Sequence, residues 1–168
     1  MRRHISLFLP LVLTLILTCC GGGGEAEGGI PKNASRMGSS PYYMVLPDGL
    51  RREDVSDGDS SRIASWFDDE TQLRVEVYQW EKEGYPDALD EFVQQEAEEH
   101  DDAEVVTGVE FNGIPAAGYR YVPEEGDVSS VIVYAFESDG DYIELSFTMG
   151  SDAAGPSAAA ILNSLAEY

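Results

Sequence analysis

The sequence predicts an α+β domain: an antiparallel sheet of six to seven strands, one helix after the third strand and a C-terminal helix, packed as a layered sandwich. Three observations carry this. Leu73–Trp80 and Tyr142–Met149 alternate with the period of two that marks a strand. Asp87–His100 instead places Ala88, Leu89, Phe92, Val93 and Ala97 at helical spacing, with acids opposite. Asn112-Gly113 and Asp139-Gly140 stand between apolar runs as tight turns, so the later strands fold back on one another.

Along the chain, Met1 to Cys19 comes first. Arg2 and Arg3 give a positive start, Ile5–Leu17 is almost wholly apolar, and Thr18-Cys19-Cys20-Gly21 is small-residued, the layout of a secretory signal. The apolar run falls short of the ~20 residues that a membrane span needs. Residues 20–41 follow as a Gly-rich flexible linker, with Gly21–Gly24, Gly28-Gly29 and no apolar period. Twenty such residues average roughly 25 Å end to end.

The domain is expected over residues 42–168. Tyr42–Leu46 reads as a strand closed by Pro47-Asp48-Gly49, and Arg62–Asp68 as a second. In the third, Leu73, Val75 and Val77 point one way, and Arg74, Glu76, Tyr78 and Trp80 the other. Pro86, Asp87, Asp90 and Glu91 suit a helix start. Glu104–Phe111 and Ile114–Val122 form a predicted hairpin. Val128–Glu137 is apolar on both faces and is placed centrally, covered on both sides. Tyr142–Met149 completes an antiparallel meander. Pro156 then opens a helix striped with Ala158, Ile161, Leu162 and Leu165.

The charge excludes some functions. Lys and Arg total 10 against 32 Asp and Glu, a formal net charge of −22. Nucleic-acid binding rests on Lys/Arg neutralising phosphate, so no nucleic-acid partner is expected. Such acidity fits a highly soluble exported surface, a cationic partner, or a halophile protein whose self-repulsion salt screens.

Both cysteines are adjacent at Cys19 and Cys20, so no disulfide framework is expected in the domain. Leu17-Thr18-Cys19-Cys20 resembles the bacterial lipobox. The resemblance implies lipidation of Cys20, including palmitate, with cleavage before it; Cys19 as target would put Ile16 in the leucine position. A lipoprotein so anchored would lie outside the cell membrane in the cell envelope.

The domain also resembles the PsbP-like fold. The matching pieces are Tyr43–Gly49, Leu89-Asp90-Glu91-Phe92, Asn112-Gly113-Ile114-Pro115-Ala116 and Ile161–Leu165, in that order, while Leu50 departs from a tryptophan often found there. That group includes an extrinsic photosystem subunit, a nuclear-import factor that binds the Ran GTPase, and many bacterial lipoproteins. The resemblance implies a binding or assembly subunit for an envelope partner or small ligand, with no cofactor and no catalytic motif to carry over.

No catalytic residue stands out. His100 lies in a run of acids at a helix end and reads as a solvated terminal residue rather than a base. The acidic loops at Asp57-Gly58-Asp59, Asp68-Asp69-Glu70, His100-Asp101-Asp102 and Asp139-Gly140-Asp141 lack the twelve-residue calcium pattern and read as turns, so no metal site is assigned. Among so many acids, a carboxylate- or metal-dependent hydrolase is the alternative. The candidate partner-binding residues are Tyr78, Trp80, Tyr119 and Tyr121, which line a groove or pack beneath a helix.

Overall fold

The computed structural model describes residues 30–55, 58–124 and 126–168. The signal segment, Cys20, most of the linker and Asp57 lie outside them. In chain order the elements are β1 (Ala34–Arg36), β2 (Tyr42–Val45), β3 (Arg51–Arg52), β4 (Arg62–Asp68), β5 (Leu73–Glu81), α1 (Leu89–Ala97), β6 (Glu104–Phe111), β7 (Ile114–Tyr121), β8 (Ser130–Ser138), β9 (Asp141–Met149), α2 (Ala154–Asn163) and β10 (Ala166–Glu167).

Seven strands form one antiparallel sheet in the order β3-β4-β5-β9-β8-β7-β6. The meander expected of the last four strands is present. Asn112 and Gly113 form its first turn with φ of +52° and +87°, values that Asn and Gly tolerate without the clash a branched side chain meets. The fold class predicted from sequence, an α+β sandwich, is the one observed.

Alternation along each strand sends side chains to two layers. On one face, Val75, Val77, Leu145, Phe147 and Phe136 pack with Ile161 and Leu165 from the α2 end. On the other, Val131, Val133, Ala135 and Tyr142 pack with Phe92, Val93 and Ala97 of α1. Both faces of β8 therefore carry a packed layer, as its two-sided apolar pattern requires. The Asn112 side-chain amide donates to the carbonyls of Asn163 and Leu165, both at 2.9 Å, tying the hairpin to free carbonyls at the end of α2.

Three expectations differ. Tyr42–Val45 is not in the large sheet; β2 pairs with β1 and β10 in a separate three-stranded sheet. Two-residue strands such as β3 and β10 are too short to show a period, so the sequence could not reveal how the edges are filled. The linker ends earlier than residue 41, because Ala34–Arg36 pairs with β2 and Met37 is fully buried. One buried methionine among polar neighbours leaves no pattern to read. Finally, α1 stops at Ala97, and the chain leaves it through a turn closed by His100 N–H to the Ala97 carbonyl at 3.1 Å.

Gly118 of β7 faces the α2 layer without room for a side chain. A Cβ there would sit 2.3 Å from the Val133 carbonyl oxygen and 2.7 Å from Tyr134 Cδ1. Gly118→Ala is expected to destabilise the domain by about 1–3 kcal/mol, as overpacking does. Urea unfolding measures it; an unchanged midpoint would show that the β7–β8 pair yields freely.

Candidate functional site

The face under α1 is only partly covered. Helix α1 lies over the Ala117–Ala135 end of the sheet, and beyond its last turn a cleft of about 180 Å³ remains. Its floor is Glu144 and Ser146 of β9 with Val131 and Val133 of β8. Its walls are Tyr78 and Trp80 of β5 on one side and Tyr119 and Tyr121 of β7 on the other. Strand register explains this arrangement: Tyr78 stands opposite Glu144, Ser146 opposite Val133, and Tyr119 opposite Val133 from the other side. Walls three strand steps apart stand about 14 Å from each other at the backbone. Ser146, Val131 and Val133 rise little from the floor, which leaves the trough open.

All four aromatics singled out from sequence converge on this cleft. Groove lining and packing are both realised in it. Trp80 and Tyr121 pack partly against the α1 core, and Tyr119 is buried. Each pair is nearly parallel: Tyr78 and Trp80 at 6.2 Å and 8°, Tyr119 and Tyr121 at 6.2 Å and 19°. Side chains two apart on a strand share one face, which holds the rings in register.

The end of α1 closes the remaining side with Glu96 and His100. His100 is half-buried rather than solvated, its ring stacked on Tyr121 at 3.8 Å and 8°. The turn after α1 aims it at the sheet, a direction that the helical period could not supply. No hydrogen bond joins Ser146 to His100 among the described residues, so a serine–histidine pair is not assembled.

Glu144 is the polar centre. It is 5% exposed, and one carboxylate oxygen, Oε2, accepts the Trp80 indole N–H at 2.6 Å. The other, Oε1, has no hydrogen-bond partner among the described residues. Burial pushes its carboxyl up to about 7; the Trp80 hydrogen bond opposes the rise and Glu96 adds to it. Burial, then Glu99, raises Glu96 as well. Burial raises Tyr119 and Tyr78 too, with carboxylates nearby as secondary causes. Beside the cleft, Arg62 Nη1 pairs with Glu76 Oε1 at 2.7 Å, and the Tyr78 hydroxyl donates to Glu76 Oε2 at 3.3 Å.

Glu144, Glu96 and Ser146 were not picked out from sequence, and His100 was weighed there only as a base and set aside. A signal for Glu144 was present. Val131, Val133 and Ala135 need cover on their second face, and that cover extends over the polar face of the neighbouring strand.

A larger depression of about 540 Å³ lies on the outer side of α1, lined by Asp90, Glu91, Gln94, Gln95, Glu98 and Thr107. It is polar, open and has no buried group, so the smaller cleft is the better candidate. The acidic loops build turns. Asp68 accepts the Glu70 N–H and the Thr71 hydroxyl at 2.9 and 2.8 Å, and Asp59 accepts the Ser61 N–H at 3.0 Å.

No protein-family profile matches the chain, and no curated protein matches it by sequence. Solved structures do. A crystal structure from Bacteroides thetaiotaomicron aligns over 76% of this chain and 45% of that one, at 15% identity and a TM-score of 0.49. The solution structure of cyanobacterial PsbP from Synechocystis aligns over 86% of this chain and 98% of that one, at 14% identity and a TM-score of 0.53. The fold of this chain is PsbP-like.

Proposed function

We propose that this chain is an exported, membrane-anchored lipoprotein whose acidic domain is a non-enzymatic binding module, with the aromatic cleft as its binding site. One observation carries the binding role: four aromatics on two non-adjacent strands converge over a floor with a buried, half-satisfied carboxylate. Ligand sites combine apolar and aromatic walls with few polar groups in this way. Anchoring rests on the leader and on Cys20. Two or more acyl chains hold a protein stably in a bilayer, leaving the domain free of that task. The net charge of −22 supports a role without nucleic acid.

Cys20→Ser is expected to move the protein from the membrane to the soluble fraction and to abolish palmitate labelling. Fractionation of cells checks it, and a variant that stays membrane-bound and labelled overturns the anchor. For the cleft, the lipidated protein is purified from its own membranes in mild detergent, and its bound molecules are identified by mass spectrometry. Wild type should retain a species that Trp80→Leu loses.

A second reading, a carboxylate-dependent hydrolase, draws on Glu96 and Glu144, both desolvated and both lining the cleft. Trp80 occupies one Glu144 oxygen and three tyrosines crowd the space, so binding is favoured. Turnover of glycoside or ester probes that Glu144→Gln abolishes would favour the hydrolase instead.

A further inference from the structure

We propose that the cleft receives a small organic cation, an amine or quaternary ammonium group, between its aromatic walls and over the Glu144 carboxylate. This rests on the reading of the cleft as a binding site and adds the class of ligand.

Size comes first. At about 180 Å³ the cleft is well below the roughly 300–1,000 Å³ of sites for drug-sized molecules. A compact head group fits it and an extended ligand does not. Chemistry comes next. Aromatic faces carry negative quadrupole potential, the property that holds ammonium groups; Tyr78 and Trp80 bring theirs to one wall, while on the other His100 stacks on Tyr121. The tryptophan, the strongest such partner, stands beside the carboxylate.

Charge points the same way. Glu144 and Glu96 line the cleft, and no Lys or Arg does so among the described residues. The two carboxylates repel an anionic ligand, and His100 is the one basic side chain among the described lining residues. Glu144 Oε1, buried and without a donor, leaves the carboxylate charge on the cleft floor uncompensated, and a cation seated above it would be drawn to that charge. Its other oxygen is already committed to Trp80, which holds the carboxylate in place. A bare divalent metal is a poor alternative. Trp80 already takes one Glu144 oxygen, and no group of three or more metal-holding side chains occurs among the described residues.

The test uses the full-length protein in detergent at pH 8, observed through its two indole N–H resonances. Trp66 lies in the α2 layer and is the internal control; Trp80 reports the cleft. Choline and propylammonium are the cationic probes, and 3,3-dimethylbutan-1-ol is the neutral isostere of choline. Either cation should shift the Trp80 resonance saturably and leave Trp66 still, and the isostere should bind at least about tenfold more weakly. Glu144→Gln, which keeps the shape, and Trp80→Phe, which keeps a ring, should each weaken cation binding by about tenfold. Equal binding of the isostere overturns the cationic class and leaves the cleft a binding site. No response to either cation also overturns the proposal. Whether the broader reading then stands is decided by the species that wild type retains and Trp80→Leu loses.

Discussion

Phe92→Ala is expected to destabilise the domain by about 3–5 kcal/mol, the cost of emptying a large aromatic site in a closed core. Phe92 is fully buried on the inner side of α1, stacked on Tyr142 at 4.2 Å and edge-on to Tyr85 at 5.2 Å. It is the principal side chain by which a helix of nine residues grips the sheet. So short a helix has little stability of its own and depends on that packing. The neighbours cannot collapse into the space easily, because the Tyr142 hydroxyl donates to the Pro86 carbonyl at 2.6 Å and holds its ring in place. Urea unfolding measures the loss, and a change under about 1 kcal/mol would show that α1 contributes little to the core. The rings continue from Tyr85 to Trp80 at 5.9 Å, so the same variant should loosen the cleft wall. Faster exchange of the Trp80 indole proton, relative to that of Trp66, checks this.

Glu144→Gln is expected to stabilise the protein by about 3 kcal/mol above pH 7 and to change little below pH 4.5. The sign follows from burial. The folded state holds the Glu144 proton up to about pH 7, whereas the unfolded chain releases it near 4.5. The stability of wild type is therefore full at low pH with respect to this group and falls as pH rises through 7. Glutamine keeps an oxygen for the Trp80 N–H and never acquires the charge. The groups facing Glu144 are Tyr78 and Trp80 of β5, Glu96 of α1, His100 of the turn after it, and Tyr119 and Tyr121 of β7. They remain in both proteins, so the difference between variant and wild type isolates Glu144. Unfolding free energies of the pair at pH 4.5 and pH 8 are the measurement. A difference that does not vary with pH would mean that Glu144 is solvated in the folded protein.

The gain in stability on removing that charge bears on function. A buried carboxylate with one unmet oxygen weakens the domain at neutral pH, and glutamine would fill the same volume without the buried charge. A cation in the cleft would offset it.

The strands and helices were legible where a period ran long enough. Leu73–Trp80 and Tyr142–Met149 each alternate over eight residues, and both appear as long strands, β5 and β9. The two-faced apolar run of β8 announced helix cover on one side and a second layer on the other. Tyr42–Val45 was legible as a strand but not as to its sheet, because pairing partners far along the chain, here Ala166 and Glu167, leave no local trace. The aromatic pairs were visible as faces, yet nothing in Tyr78-Gln79-Trp80 says that Tyr119 and Tyr121 stand across from them.

By itself the sequence determined the fold class, the meander, the inward faces of β5 and β9, and an acidity that turns away phosphate. These depend on residue type and on periods of two and 3.6, which are local properties. Only the tertiary structure decided that β5 and β7 flank β9 and β8, that α1 stops short of covering them, and that Glu144 lies buried among the rings. Strand order and helix coverage are set by which faces must be removed from water together, a condition on the whole chain that no segment carries alone.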